Sequence, residues 1–144
     1  HDYYRALDHL LISLNEYIMG VRSAHTEHAD MKEALVYIEA NYFRPLNMAM
    51  VSNHVSLNYS YFSEAFKAYT GESFVLYLKK VRIHHAKDLL AGSRCKLAGV
   101  SEAVGFENSK QFARVFKELE GISPGEYRAK ALAEGYFARN DREL

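Results

Sequence analysis

Arg114 carries the most distinctive chemistry in this 144-residue chain. A guanidinium can donate two hydrogen bonds at once, to guanine O6 and N7, which discriminates against a wrong base by about 1–3 kcal/mol. Arg114 belongs to a set, Ser109, Lys110, Ala113, Arg114 and Lys117, whose spacing puts all five on one face of a helix. Fifty residues earlier the same five positions hold Tyr59, Ser60, Ser63, Glu64 and Lys67. Here Glu64 can accept from cytosine N4, the serines can bond bases or phosphates, and Tyr59 can stack on a sugar or reach a phosphate. Lys67 and Lys117 sit a turn further along and suit phosphates better than bases. The plainer reading of each residue is a solvated surface side chain.

The elements that would position these sets repeat. Val51, Val55, Leu57, Phe62, Phe66, Lys67, Gly71, Ser73 and Tyr77 recur as Val100, Val104, Phe106, Phe112, Phe116, Lys117, Gly121, Ser123 and Tyr127. The offset grows from 49 to 50 residues between Leu57/Phe106 and Phe62/Phe112, so the inserted residue falls in a turn. Each unit reads as a short helix, a tight turn and a second helix, the helix-turn-helix plan. Phe62, Ala65, Phe66 and Tyr69 form the inner face of one second helix, and Phe112, Val115, Phe116 and Leu119 that of the other. The outer faces must then stay free to enter a major groove about 12 Å wide. The spacing of four makes the Phe pairs core residues, not stacking platforms for single strands.

Around the repeat, the pattern predicts helices throughout, with only two prolines and no sustained strand alternation. Tyr4, Leu7, Leu11, Leu14, Ile18 and Val21 keep heptad spacing, and Leu10 broadens that stripe. Residues 22–29 read as a polar connection, after which Asp30 and Glu33 form a capping box. Asn47 and Ser73 are expected to cap helices, and Gly71 to end one. The helix begun at Ser73 runs to about Leu90, and Arg82 on it is expected to pair with a carboxylate of the domain. Ser123-Pro124-Gly125-Glu126 is a helix start. Residues beyond about Gly135 are expected to fray. The expected organisation is therefore residues 1–29 as an amphipathic linker helix, 30–134 as the double helix-turn-helix domain, and 135–144 as a tail. Within the domain, lobe 1 covers about 30–72, a connecting helix about 73–91 and lobe 2 about 93–134.

Composition excludes several classes. The net charge is zero, yet residues 48–130 hold twelve basic and eight acidic side chains, and residues 1–47 hold four and seven. That local excess of +4 is modest and alone does not establish a nucleic-acid partner. One cysteine, Cys95, rules out an intrachain disulfide framework and fits a reducing compartment. No apolar run approaches the roughly 18 residues of a membrane span. The histidine pairs His25/His28 and His84/His85 lack accompanying ligands at a metal spacing. No cofactor and no enzymatic constellation are expected.

The chain resembles the AraC/XylS family of transcription regulators. The resemblance rests on Tyr61-Phe62-Ser63-Glu64-Ala65-Phe66-Lys67 with Thr70-Gly71, Arg82-Ile83 with Ala86 and Leu89-Leu90, and Val104-Gly105-Phe106. It continues through Gln111-Phe112-Ala113-Arg114-Val115-Phe116-Lys117 and Gly121-Ile122-Ser123-Pro124-Gly125-Glu126-Tyr127-Arg128, in the family's order. It implies an all-α fold with two helix-turn-helix lobes on a long helix, and a cytoplasmic bacterial regulator of double-stranded promoter DNA. The resemblance further implies an activator that also touches RNA polymerase. Ser52 and Ser101 stand where the family usually has alanine, and Ser56 where glycine is common in the first turn. Gly99 should weaken its helix by about 1 kcal/mol relative to alanine.

The missing initiator Met suggests an upstream receiver or sensor domain, as in a two-component response regulator. The heptad helix would join that domain to this one or form a homodimer; equally, it could pack on the domain's own surface. The competing functional reading is an interaction module of the same fold that does not bind DNA. Because the two outer faces differ, an asymmetric site is expected, with lobe 2 the stronger anchor.

Overall fold

The computed structural model describes the backbone of residues 2–143 and the side chains of residues 6, 7, 9–11 and 27–135. Its helices are α1 (Asp2–Asn41), α2 (Met48–His54), α3 (Tyr59–Thr70), α4 (Phe74–Gly92), α5 (Leu97–Ala103), α6 (Ser109–Glu120) and α7 (Pro124–Glu143). The fold is all-helical, and no strand occurs among the described residues.

Local chemistry sets most of the boundaries. The Asn47 side chain accepts from the Met50 N–H at 2.9 Å, and Asn58 accepts from Ser60 at 2.9 Å. Ser73 takes the Leu76 N–H at 3.3 Å, Asn108 takes Gln111 at 2.7 Å and Ser123 takes Glu126 at 3.1 Å. Each satisfies a backbone donor that the first helical turn leaves free. Helix α5 begins after Lys96 without such a bond. Gly71 and Gly121 end α3 and α6 in the left-handed conformation, at φ 80° and 82°.

Two cores form, one per lobe. Met31, Ala34 and Ile38 of α1 pack with Val51, Phe62, Phe66, Phe74 and Leu78 in lobe 1. Ile83, Ala86 and Leu90 pack with Val100, Val104, Phe106, Phe112, Val115 and Phe116 in lobe 2. Helix α4 therefore gives its first half to one core and its second half to the other. The Tyr42 ring touches both cores. The repeat extends to the turns: Leu57 N–H bonds Ser52 O at 2.9 Å, and Phe106 N–H bonds Ser101 O at 3.1 Å. The residue before each donor has positive φ, 57° at Ser56 and 95° at Gly105.

Three expectations are corrected. Residues 22–29 are not a connection, because α1 runs through them unbroken, and Asp30 lies inside that helix instead of capping one. The segment contains no Gly or Pro, and its Ser, His and Thr each disfavour a helix by only about 0.7 kcal/mol or less. Packing on α3 offsets this: Tyr61 donates to Glu27 at 2.7 Å, and the His28 and Tyr69 rings meet edge-on at 5.2 Å. The third correction is at the C-terminus, where α7 continues past Gly135 to Glu143. Of the heptad residues, the side chains of Tyr4, Leu14, Ile18 and Val21 lie outside the described residues. Leu7, Leu10 and Leu11 are exposed.

Candidate nucleic-acid interface

Helices α3 and α6 each bury one face and present the other. Phe62, Ala65 and Phe66 are buried on α3, and Phe112, Val115 and Phe116 on α6. In lobe 1, Tyr59, Ser60, Ser63, Glu64 and Lys67 are all exposed. So are Ser109, Lys110, Ala113, Arg114 and Lys117 in lobe 2. The two outer faces differ in charge: the first carries one acid and one base, the second three bases. Among the described residues, no carboxylate pairs with Lys110, Arg114 or Lys117. Their donors are open to an external acceptor.

Two residues stand elsewhere than the sequence suggests. Tyr69 is 37 % exposed and borders the core beside His28; it does not fill the inner face. Arg82 does not meet a carboxylate. Its Nε donates to Tyr42 O at 2.8 Å and its Nη2 to Arg44 O at 3.0 Å, just past the C-terminus of α1. The guanidinium also lies over the Phe106 ring, 5.8 Å from its centroid. Burial pulls its pKa below the usual value, but arginine so far above neutrality stays charged. One cation thus joins α1, α4 and the turn of lobe 2. Arg128 does the same further along, its Nε donating to Leu90 O at 3.1 Å near the end of α4.

Neither Gln111 nor Lys79 is among the contacts expected from the sequence. Gln111 accepts the Glu107 N–H at 3.3 Å through its amide oxygen. With Tyr59, Ser63 and Lys79 it also lines a cleft of about 500 Å³ between the lobes. No spacing rule marks either residue, because the cleft is made by bringing the lobes together. On another side of α4, Lys80 pairs with Glu72, and Lys87 Nζ lies 3.3 Å from both Glu120 oxygens.

A helix-turn-helix domain profile matches residues 51–130, the two repeats and the helix between them. The chain belongs to the AraC-type helix-turn-helix family. It is 35 % identical over 98 residues to the regulatory protein PocR of Salmonella typhimurium, covering 68 % of this chain and 32 % of that one. To the arabinose operon regulatory protein of Escherichia coli it is 40 % identical over 83 residues, 58 % of this chain and 28 % of that one. The chain spans about a third or less of the length of these curated relatives.

The AraC-type fold has solved counterparts. The C-terminal domain of the two-component response regulator yesN from Fusobacterium nucleatum superposes with a TM-score of 0.65 at 32 % identity, covering 67 % of this chain and 95 % of that one. The DNA-binding domain of AdpA, solved with a target DNA, gives 0.70 at 21 % identity and covers 72 % and 94 %, a likeness of fold alone. The AraC-type module is a transcription-regulator DNA-binding domain, and that family is not enzymatic. Among its described residues no helix is long and apolar enough to cross a membrane.

Proposed function

We propose that α3 and α6 enter two successive major grooves on one face of double-stranded promoter DNA, about 34 Å apart. The observation that carries this reading is the pair of equivalent helices, each buried on one side and polar on the other, braced on the shared helix α4. Arg114 reads a base edge, and Ser109, Lys110 and Ala113 line the same groove. Lys117 holds a phosphate. In lobe 1, Tyr59, Ser60, Ser63 and Glu64 face the groove, and Lys67 holds the backbone. Lobe 2, with three unpaired cations, is the stronger anchor, and the preferred site is asymmetric. A rigid α4 makes the DNA bend if its grooves do not match the two helices, which adds shape readout.

The likeness to the response-regulator C-terminal domain supports an upstream receiver domain and a cytoplasmic two-component activator. RNA polymerase and a homodimer formed through the N-terminal part of α1 are the protein partners in this reading. The exposed Leu7, Leu10 and Leu11 favour a second reading, a protein-interaction module of the same fold.

Fluorescence anisotropy on the natural promoter at several salt concentrations separates the two. DNA reading gives log K falling with log salt, and Arg114→Ala relaxes base preference at one position. Indifference to promoter DNA beside a measurable protein complex favours the interaction module. Equal weakening on every sequence removes Arg114 from base reading.

A further inference from the structure

We propose that the connecting helix α4 is itself a DNA contact, with Lys79 holding the phosphate backbone that runs between the two occupied grooves. The proposal rests on the reading of α3 and α6 given above. Tyr59 and Ser63 from the outer face of α3, and Gln111 from α6, share the interlobe cleft with Lys79. A duplex that engages both outer faces must therefore pass across the mouth of this cleft. Between two successive major grooves on one face of B-DNA lies the minor groove, flanked by both phosphate strands. The part of the duplex opposite the cleft is thus its most densely charged part.

The cleft suits that charge. No Asp or Glu lines it, whereas Lys79 and Arg82 do. Arg82 is committed to the carbonyls of Tyr42 and Arg44. Lys79 is half-buried and, among the described residues, has no carboxylate partner. Glu102 and Glu107 line a neighbouring hollow over Gly105, which shares Arg82 and Phe106 with the cleft.

Elsewhere on α4 the pattern reverses. Lys80 and Lys87 are both paired, and a second hollow there is lined by Glu39, Glu72 and Glu120. The connector is electrically two-faced, with the unbalanced cation on the side of the reading helices. The cleft walls include Val75, Leu78 and Phe106, and a cation held against apolar walls is screened by salt less than a fully solvated one.

The test uses a labelled duplex chosen by selection from random sequence on this chain, titrated by anisotropy across a salt series. Lys79→Met should weaken binding several-fold near 0.1 M salt and reduce the slope of log K against log salt by about 0.9, the share of one phosphate contact. Base preference should stay as in the unmodified chain. Lys80→Met, on the paired side, should leave the slope unchanged. Matching urea midpoints for both variants keep folding out of the comparison, and Lys79→Gln repeats the test with a polar side chain. An unchanged slope in Lys79→Met, with Arg114→Ala still altering base preference, overturns the contact and leaves the groove reading standing. Absence of any sequence preference in the unmodified chain overturns the groove reading and this inference with it.

Discussion

The two equivalent turns make the same demand, a residue that tolerates positive φ, and the chain meets it with glycine in only one of them. Gly105 has φ +95°, and a Cβ built there would lie 2.6 Å from Tyr42 O, 3.1 Å from Arg82 Nε and 3.1 Å from the Phe43 carbonyl carbon. Two of those neighbours are backbone and cannot rotate away. For Gly105→Ala, the left-handed backbone costs about 1–2 kcal/mol and the overpacking about 1–3 kcal/mol. The new methyl also displaces Tyr42 O from Arg82, a charge-assisted bond worth about 1.5–3 kcal/mol when intact. Taking that bond as partly retained, the total is about 3–5 kcal/mol, a large share of a typical domain's stability. Ser56 occupies the matching position at φ 57° with a side chain already in place. Ser56→Gly relieves about 1–2 kcal/mol of strain and adds about 0.4–1 kcal/mol of unfolded-state freedom, a net gain of about 0.5–1 kcal/mol. Urea unfolding followed by circular dichroism and tyrosine fluorescence measures both. A Gly105→Ala protein within about 1 kcal/mol of the unmodified chain would refute the close approach of α1's end to the lobe 2 turn.

Arg82→Met keeps the stem but strands the part-buried Tyr42 carbonyl, while water can replace the exposed bond to Arg44 O, and should cost about 1–3 kcal/mol by urea unfolding; a loss no larger than that of Lys79→Met would contradict its joining role. Ser101 Oγ is buried without a hydrogen-bond partner among the described residues, whereas Ser52 Oγ donates to Ala49 O at 3.0 Å. Ser101→Ala should therefore stabilise by about 1 kcal/mol and Ser52→Ala should be near neutral, compared by thermal melts. Burial, then Glu39 and Asp88, raise the Tyr42 pKa above 10.0; burial, then Glu39 and Glu72, raise that of Tyr77. The unfolded chain releases these protons first, so stability is unaffected by them below about pH 10 and falls above it. The Tyr42→Phe/Tyr77→Phe double variant should show a shallower alkaline decline in urea midpoint.

What was legible in the sequence is what periodicity encodes. The Phe62/Phe66 and Phe112/Phe116 pairs, the Gly71 and Gly121 stops and the caps at Asn47, Ser73 and Ser123 follow from side-chain type and spacing. Ser56 also announced a constrained turn, because a non-glycine stands where the repeat has Gly105. The misreadings share a cause. A half-buried arginine suggests a carboxylate partner, but the acceptors of Arg82 are main-chain carbonyls, which any residue supplies and no residue type marks. Residues 22–29 looked like a connection because they are polar, yet nothing in them breaks a helix, and Tyr61 and Tyr69 of α3 hold Glu27 and His28 in place. Ile83 is a core residue that the sequence does not mark. It lies where α4 passes from one lobe to the other, a position defined by the second lobe's docking and not by α4's own pattern.

The unbroken α1 also fixes an angular relation. A 40-residue helix is about 60 Å long and turns about 100° per residue. Counting along it, Leu7 and Leu11 point roughly 170° away from the mean direction of Met31, Ala34 and Ile38. Whatever covers that leucine ridge approaches from the side of α1 opposite lobe 1, so it cannot compete with α2 or α3 for the same surface. The helix acts as a keyed shaft. One extra residue between Leu11 and Glu27 would swing the ridge by about 100°, and seven would return it to within about 20°. A partner seated on the ridge would therefore sense the length of this segment by phase as well as by reach.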